Sequence, residues 1–187
     1  GAGRGLGRSY AHLLASKGAK IVVNDVGADL TGAGADVGPA EEVARENTLN
    51  IPDGVYEAES FMDDDGVDVG ARIPIKVRVE KRGDEMTIDL SDVASQVRGF
   101  YNSGWTTGIA CAQVAFKCLT TPTEYPVNDG SFRSLKVIVP KGTVVSAIKP
   151  AAMRWWMTFP MTVVDTVIKA LSKAIPERSA AAHHADL

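Results

Sequence analysis

Residues 73–90 read Ile73-Pro74-Ile75-Lys76-Val77-Arg78-Val79-Glu80-Lys81-Arg82-Gly83-Asp84-Glu85-Met86-Thr87-Ile88-Asp89-Leu90, and this stretch decides the fold. Ile73, Ile75, Val77 and Val79 alternate with Arg72, Lys76, Arg78 and Glu80. Successive side chains of a strand point to opposite faces, so a period of two predicts a strand half buried and half solvated. Lys81-Arg82-Gly83-Asp84 turns the chain, and Met86, Ile88 and Leu90 resume the alternation, which predicts an antiparallel hairpin.

The same grammar extends outward. Pro52-Asp53-Gly54 is a turn signal, and residues 55–61 alternate as a further strand. Met62-Asp63-Asp64-Asp65-Gly66 is an acidic turn. Thr106 or Thr107 can cap a helix carrying Ile109, Ala112, Phe116 and Leu119 at helical spacing. Residues 120–130, with Pro122, Pro126 and Asn128-Asp129-Gly130, read as a loop, and 135–139 as a strand. Pro160 opens a last helix with Met161, Val164, Ile168, Leu171 and Ile175 along one seam, and Asp165 and Lys169 one turn apart on its wet side. Strands in a run followed by helices predict an α+β fold with mixed antiparallel strands and helices.

Composition bounds the function. The chain has 187 residues, 45% apolar and 23% charged, which suits one or two packed domains rather than a disordered chain. Lys and Arg number 20 against 23 Asp and Glu, and no basic block stands out, so no nucleic-acid surface is expected. No apolar run reaches the roughly 18 residues of a membrane span, so no membrane partner is expected. The opening glycines are not a secretory leader, and two cysteines form no metal or disulfide framework by spacing, so a reduced, cytoplasmic setting is expected.

Residues 1–46 follow a different pattern. Gly1, Gly5 and Gly7 give Gly-x-x-x-Gly-x-Gly, followed by a helical stretch over 6–17 with Leu6, Tyr10, Leu13 and Leu14 on one face. Gly18 stops it, and 19–23 read as a buried parallel strand ending on Asn24-Asp25. Glycines let backbone approach a pyrophosphate, and a helix N-terminus offers free N–H groups to the anion. Asp25, about 20 residues on, stands where a carboxylate accepts ribose hydroxyls. Residues 27–38 read as a loop and 39–46 as a short helix, after which the alternating strand–helix pattern stops near Asn47.

This opening, through "GAGRGLGRSYA" and "IVVNDVG", resembles the short-chain dehydrogenase/reductase family, closest to the branch in peroxisomal multifunctional enzymes. The resemblance implies NAD(H) held by Gly1, Gly5, Gly7 and Asp25, on a partial Rossmann-like αβ fragment. The family's catalytic Ser and Tyr-x-x-x-Lys have no counterpart; four residues past Tyr10 stands Leu14. Residues 47–187 resemble the hydantoinase B family through "IPDGVYEAESFMDDDG", "SQVRGFYN", "YPVNDGSFRSLKVIVPKGTVV" and "IPERSAAAHHADL". Relatives of that kind are N-methylhydantoinase and 5-oxoprolinase proteins and subunits of acetone and acetophenone carboxylases. The resemblance implies ATP-dependent cyclic-amide hydrolysis or ketone carboxylation, a divalent metal and ATP in the intact complex, and a hydantoinase A-type partner subunit. It covers an interior piece of the family, outside the His- and Asp-rich region around the family's metal site.

Single residues divide between chemistry and structure. Asp63, Asp64 and Asp65 have the oxygen chemistry of a cation site, but a solvated acidic turn is expected. His183-His184 with Asp186 has ligand chemistry, yet adjacent histidines do not usually face one metal, and no metal site is expected. Cys111 and Cys118, seven apart on a helix, are expected as buried apolar side chains. Arg154 beside Trp155 and Trp156 can hold a carboxylate or a partner surface, with core packing or an exposed patch as the equal alternative. Asn102 and Asn128 stand in turns, either structural or site-lining. The expectation is therefore a joined chain: a truncated dinucleotide-binding fragment (1–46) ahead of a hydantoinase B-like segment (47–187), neither carrying a complete catalytic set. The alternative is an NAD(P)-binding oxidoreductase fragment. Exposed surface on an incomplete core predicts self-association.

Overall fold

The computed structural model describes residues 5–17, 38–120, 127, 129–153 and 158–182. Along them run α1 (Gly5–Ser16), α2 (Gly38–Leu49), β1 (Gly54–Met62), β2 (Ile73–Arg82), β3 (Glu85–Asp89), α3 (Trp105–Thr120), a 3-10 turn (Asp129–Phe132), β4 (Leu135–Ile138) and α4 (Thr158–Leu171). The strands form one sheet in the order β1-β2-β3-β4.

The predicted hairpin is the centre of that sheet. β2 and β3 pair antiparallel with Arg82 opposite Glu85, leaving Gly83 and Asp84 as a two-residue loop. Gly83 has φ +57°, the positive value such tight turns need. Ile73, Ile75, Val77 and Val79 of β2 and Met86, Ile88 and Leu90 after the turn are all buried in one core. Lys81 continues the buried row; its stem lies inside while Nζ donates to Asp53 Oδ1 at 2.7 Å. The same oxygen accepts Gly83 N–H at 3.0 Å, so Asp53 fastens the approach to β1 onto the hairpin tip. The opposite face is wet. There Arg78 lies 3.6 Å from Glu57, and Lys76 3.7 Å from Glu59, across the β1–β2 pair. Exposed pairs of this kind add little stability and mainly keep the face soluble.

β4 departs from the antiparallel expectation. It runs parallel to β3, with Met86 opposite Leu135 and Ile88 opposite Val137. The connection from β3 to β4 contains α3, and a crossover that long delivers the chain back in the same direction. The sheet is thus mixed, within an α+β fold.

α3 and α4 pack on each other, and α4 lies against β1 and β2. α3 buries Gly108, Cys111, Ala112, Ala115, Phe116, Leu119 and Thr120. A Cβ on Gly108 would stand 2.7 Å from the Val145 carbonyl oxygen, so only glycine allows this approach. Cys118 is exposed, against expectation, while Cys111 is buried. An ideal helix drifts about 20° over seven residues, and Cys111 already sits at the margin of the buried face. α4 buries Val163, Val164, Val167, Ala170 and Leu171, a broader face than the predicted seam. It meets both the sheet and α3, so one stripe does not suffice. The Lys169 ammonium donates to the Glu59 carbonyl at 2.8 Å.

α2 is longer than its predicted 39–46 and runs unbroken through Asn47, with Ala44 and Thr48 buried. Tyr10, Leu13 and Leu14, the predicted apolar face of α1, are exposed. The predicted strand 19–23 lies outside the described residues. Among those described, no helix is long and apolar enough to cross a membrane.

Phe116 is fully buried against Phe132 and the aliphatic core. Phe116→Ala is expected to lower unfolding free energy by about 3–5 kcal/mol. The half-exposed Val114, two residues back on the same helix, is expected to change it by about 0.5 kcal/mol or less on replacement by Ala. Urea titrations of both variants check this.

Candidate functional site

Parallel strands present their ligand-facing loops at their carboxyl ends. β3 and β4 end at Asp89 and Ile138, and three loops gather there: residues 63–72, 90–104 and 139–153. Each is held to the next by side chains that bond backbone.

Asp65 is the first such side chain. It is 2% exposed, against the expectation of a solvated turn. Oδ1 accepts the N–H of Val67 at 2.9 Å and of Asp68 at 2.6 Å. Oδ2 accepts the N–H of Gly99 at 2.7 Å, from the second loop. These donors, Asp68 first and then Gly99, hold the carboxyl below the usual carboxylate range. Asp64 acts within its own loop, taking Gly70 N–H at 3.0 Å and Gly66 N–H at 2.9 Å, and is likewise lowered, by Gly70 chiefly. A Cβ on Gly99 would stand 2.0 Å from the Asp65 carbonyl oxygen, so position 99 admits only glycine.

Asn102 is the second. Its Oδ1 accepts Val97 N–H at 2.8 Å. Its Nδ2 donates to the carbonyls of Val97 at 2.9 Å, Gly99 at 2.9 Å and Ala152 at 3.0 Å. The buried amide thereby ties the second loop to the third. Backbone bonds complete the seam: Gln96 N–H to Gly142 O at 2.8 Å, Ser103 N–H to Val144 O at 2.7 Å, and Ala147 N–H to Ser103 O at 2.9 Å. Gln96 Oε1 accepts Ile148 N–H at 2.9 Å.

The first two loops, with the start of β2, line a shallow cleft of about 260 Å³ that includes Asp65, Asp68, Arg72, Gln96 and Arg98. Arg98 pairs with Asp68 at 2.8 Å, and the Arg72 guanidinium lies 4.1 Å from the Phe61 ring centre. Two guanidiniums at the mouth suit a carboxylate or another planar acceptor. The cleft's two carboxylates are both engaged, Asp65 by backbone N–H groups and Asp68 by Arg98. Cys111 adds no nucleophile: burial pushes its thiol up to about 12. Among the described residues, no group of three or more His, Cys, Asp or Glu is placed to hold a metal ion.

Of the residues singled out in the sequence, Asn102 is buried behind this cleft's Val97, bonded to backbone, and does not line it. Asn128, Arg154 and His183, His184 and Asp186 lie outside the described residues, as do Gly1 and Asp25 of the dinucleotide set. Gly5 and Gly7 form the first turn of α1. Sequence reasoning missed Gly99 and Gln96, and the buried role of Asp65. A signal existed: "IPDGVYEAESFMDDDG" and "SQVRGFYN", two of the stretches that carry the family resemblance, contain Asp65 on one side and Gly99 and Asn102 on the other.

The model of one family, Hydantoinase B/oxoprolinase, matches residues 25–187. This chain belongs to the hydantoinase B/oxoprolinase family. It is 31% identical over 153 residues to a protein named as the B-type subunit of a D-/L-hydantoinase, from Pseudomonas sp. (strain NS671), covering 76% of this chain and 26% of that one. Its fold is similar to that of the ATP-dependent caprolactamase from Pseudomonas jessenii, with a TM-score of 0.68 at 30% identity over 76% of this chain and 24% of the other. This hydantoinase B family member spans about a quarter of the length of these relatives. Part of it is also similar to the peroxisomal multifunctional enzyme type 2 of Drosophila melanogaster, 54% identical over 63 residues, covering 34% of this chain and 10% of that one.

The lowered Asp64 and Asp65 carboxyls give a pH prediction. A carboxyl lowered by folding contributes stability above its unfolded value and loses it as pH falls through its folded value. The urea midpoint is therefore expected to hold above about pH 5 and to fall below about pH 4. Asp65→Asn turns an amide N–H toward a backbone N–H, so it starts less stable at neutral pH and shows a shallower acid limb. An acid limb as steep as in the parent protein would contradict the assignment.

Proposed function

We propose that this chain is an interior segment of a hydantoinase B-type subunit and that it turns over no substrate by itself. In the intact subunit it supplies one wall of a site for ATP-coupled opening of a cyclic amide, or for carboxylation of a ketone, beside a hydantoinase A-type partner. The observation that carries this reading is the cleft at the carboxyl ends of β3 and β4. Arg72 and Arg98 line it, while its Asp65 carboxylate is occupied by backbone N–H groups and its Asp68 carboxylate by Arg98. The family match and the quarter-length span of the relatives support the assignment. The described residues offer no donor set for the divalent metal that the family implies, so neither metal nor ATP chemistry is assigned to them.

The organisation proposed is a short-chain-dehydrogenase-like fragment at 1–46 joined to the hydantoinase B-like segment at 47–187. In this reading a junction near Asn47 falls inside α2. A second reading, an NAD-binding module without hydride transfer, is favoured by the similarity to the peroxisomal enzyme and by Gly5 and Gly7 opening α1.

An ATP-hydrolysis assay with 5-oxoproline or N-methylhydantoin, with and without a hydantoinase A-type subunit, tests the first reading. No turnover is expected from this chain alone; sustained turnover would overturn it. Calorimetric titration with NAD tests the second. That reading requires saturable binding weakened at least about tenfold by Asp25→Ala; absent binding would remove it.

A further inference from the structure

A sheet edge presents backbone N–H and C=O groups without partners, and a strand of another chain can pair with them. Among the described residues the sheet runs β1-β2-β3-β4, so β1 and β4 are its edges. β4 is four residues long and gives an incoming strand little to pair with. β1 is nine residues long and carries the strand-forming Val55, Tyr56 and Phe61. It is the edge that needs a guard.

Register identifies its open groups. Pro74, opposite Phe61, turns its carbonyl away from β1 to accept the N–H of Ala94 at 3.0 Å. Phe61 and Pro74 are therefore a pair without mutual hydrogen bonds. By the alternation of an antiparallel ladder, so are Glu59 with Lys76, Glu57 with Arg78 and Val55 with Glu80. The N–H and C=O groups of Val55, Glu57, Glu59 and Phe61 thus point to the open edge. Side-chain charge gives that edge little protection. Glu57 lies 3.6 Å from Arg78 and Glu59 3.7 Å from Lys76, so each acid has a cation beside it that offsets repulsion of a like strand. Val55 and Phe61 are apolar and about half exposed.

One group crosses the edge. From α4, Lys169 Nζ donates to the Glu59 carbonyl oxygen at 2.8 Å. The ammonium therefore sits inside the open row. A strand pairing there would take this carbonyl from a charged donor and enclose the ammonium against its own backbone, where an unpartnered charge is costly. We infer that Lys169 is an edge guard: its contact with Glu59 keeps β1 from adding a strand of a second copy of this chain. A lysine on an edge is one of the devices by which a sheet avoids such pairing, and here it reaches in from a helix rather than from the strand itself.

Sedimentation velocity over two decades of protein concentration, joined to amide hydrogen exchange in β1, tests this on the full chain. Lys169→Met keeps the aliphatic stem and removes the ammonium; Lys169→Arg keeps a charged donor. Lys173→Met removes an exposed lysine that bonds no described residue. Lys169 is itself exposed, so all three variants are expected to keep the parental far-UV circular dichroism. Lys169→Met is expected to associate at concentrations about tenfold or more below those needed by the parent, Lys169→Arg or Lys173→Met. In the associated protein the amides of Glu57, Glu59 and Phe61 are expected to exchange about tenfold or more slowly than in the parent. Lys169→Met associating no more readily than Lys173→Met would overturn the proposal. So would Lys169→Arg associating as readily as Lys169→Met, or association that leaves those three amides exchanging at the parental rate.

Discussion

A carboxylate removed from water among backbone N–H groups is the constraint on which the loop end of this structure depends. Asp65 accepts three such bonds, two from its own turn and one from Gly99. An ionised carboxyl at 2% exposure is unfavourable unless its lone pairs are filled, and here they are. The consequence reaches beyond the turn. Gly99 must be glycine and must stay where Asp65 can bond it, and Asn102 then carries the fixed geometry to Ala152 in the third loop. Loops without regular structure are thus fastened to one another by buried polar groups that satisfy each other.

The sheet beneath makes this possible through an asymmetry of its faces. One face is a continuous apolar layer under α3 and α4; the other carries ion pairs in water. The parallel placement of β4 matters most. It brings the chain out at the same end as β3, so that residues 139–153 meet residues 90–104 there. Gly108 adds a second enforced approach, α3 against Val145, which anchors the third loop from below.

The sheet was readable in the sequence because a period of two is a strong local signal with one structural meaning. Ile73, Ile75, Val77 and Val79 could only face one way. The direction of β4 was not readable, since four residues of strand carry no record of their orientation; that follows from the crossover through α3. The seam of α4 was read too narrowly because a helix touching two neighbours has no single apolar stripe. Asp65 was read as a wet turn because its neighbours Asp63 and Asp64 are acidic, and the partner that draws it inside, Gly99, is 34 residues away. Long-range side-chain-to-backbone bonds of that kind leave no local pattern, and only the grouping of unrelated-looking motifs into one family hinted at them.

The positioning role proposed within a larger hydantoinase B-type assembly draws on family membership, the fastened loops and the two guanidiniums of the cleft. That account rests on the loops being structural rather than mobile. The most direct measurement is amide hydrogen exchange at Val97 and Gly99, which lie outside every strand and helix. The account predicts that both amides exchange only on global unfolding, as slowly as Val79 in the centre of the sheet. Exchange as fast as that of the exposed loop residue Val69 would contradict it.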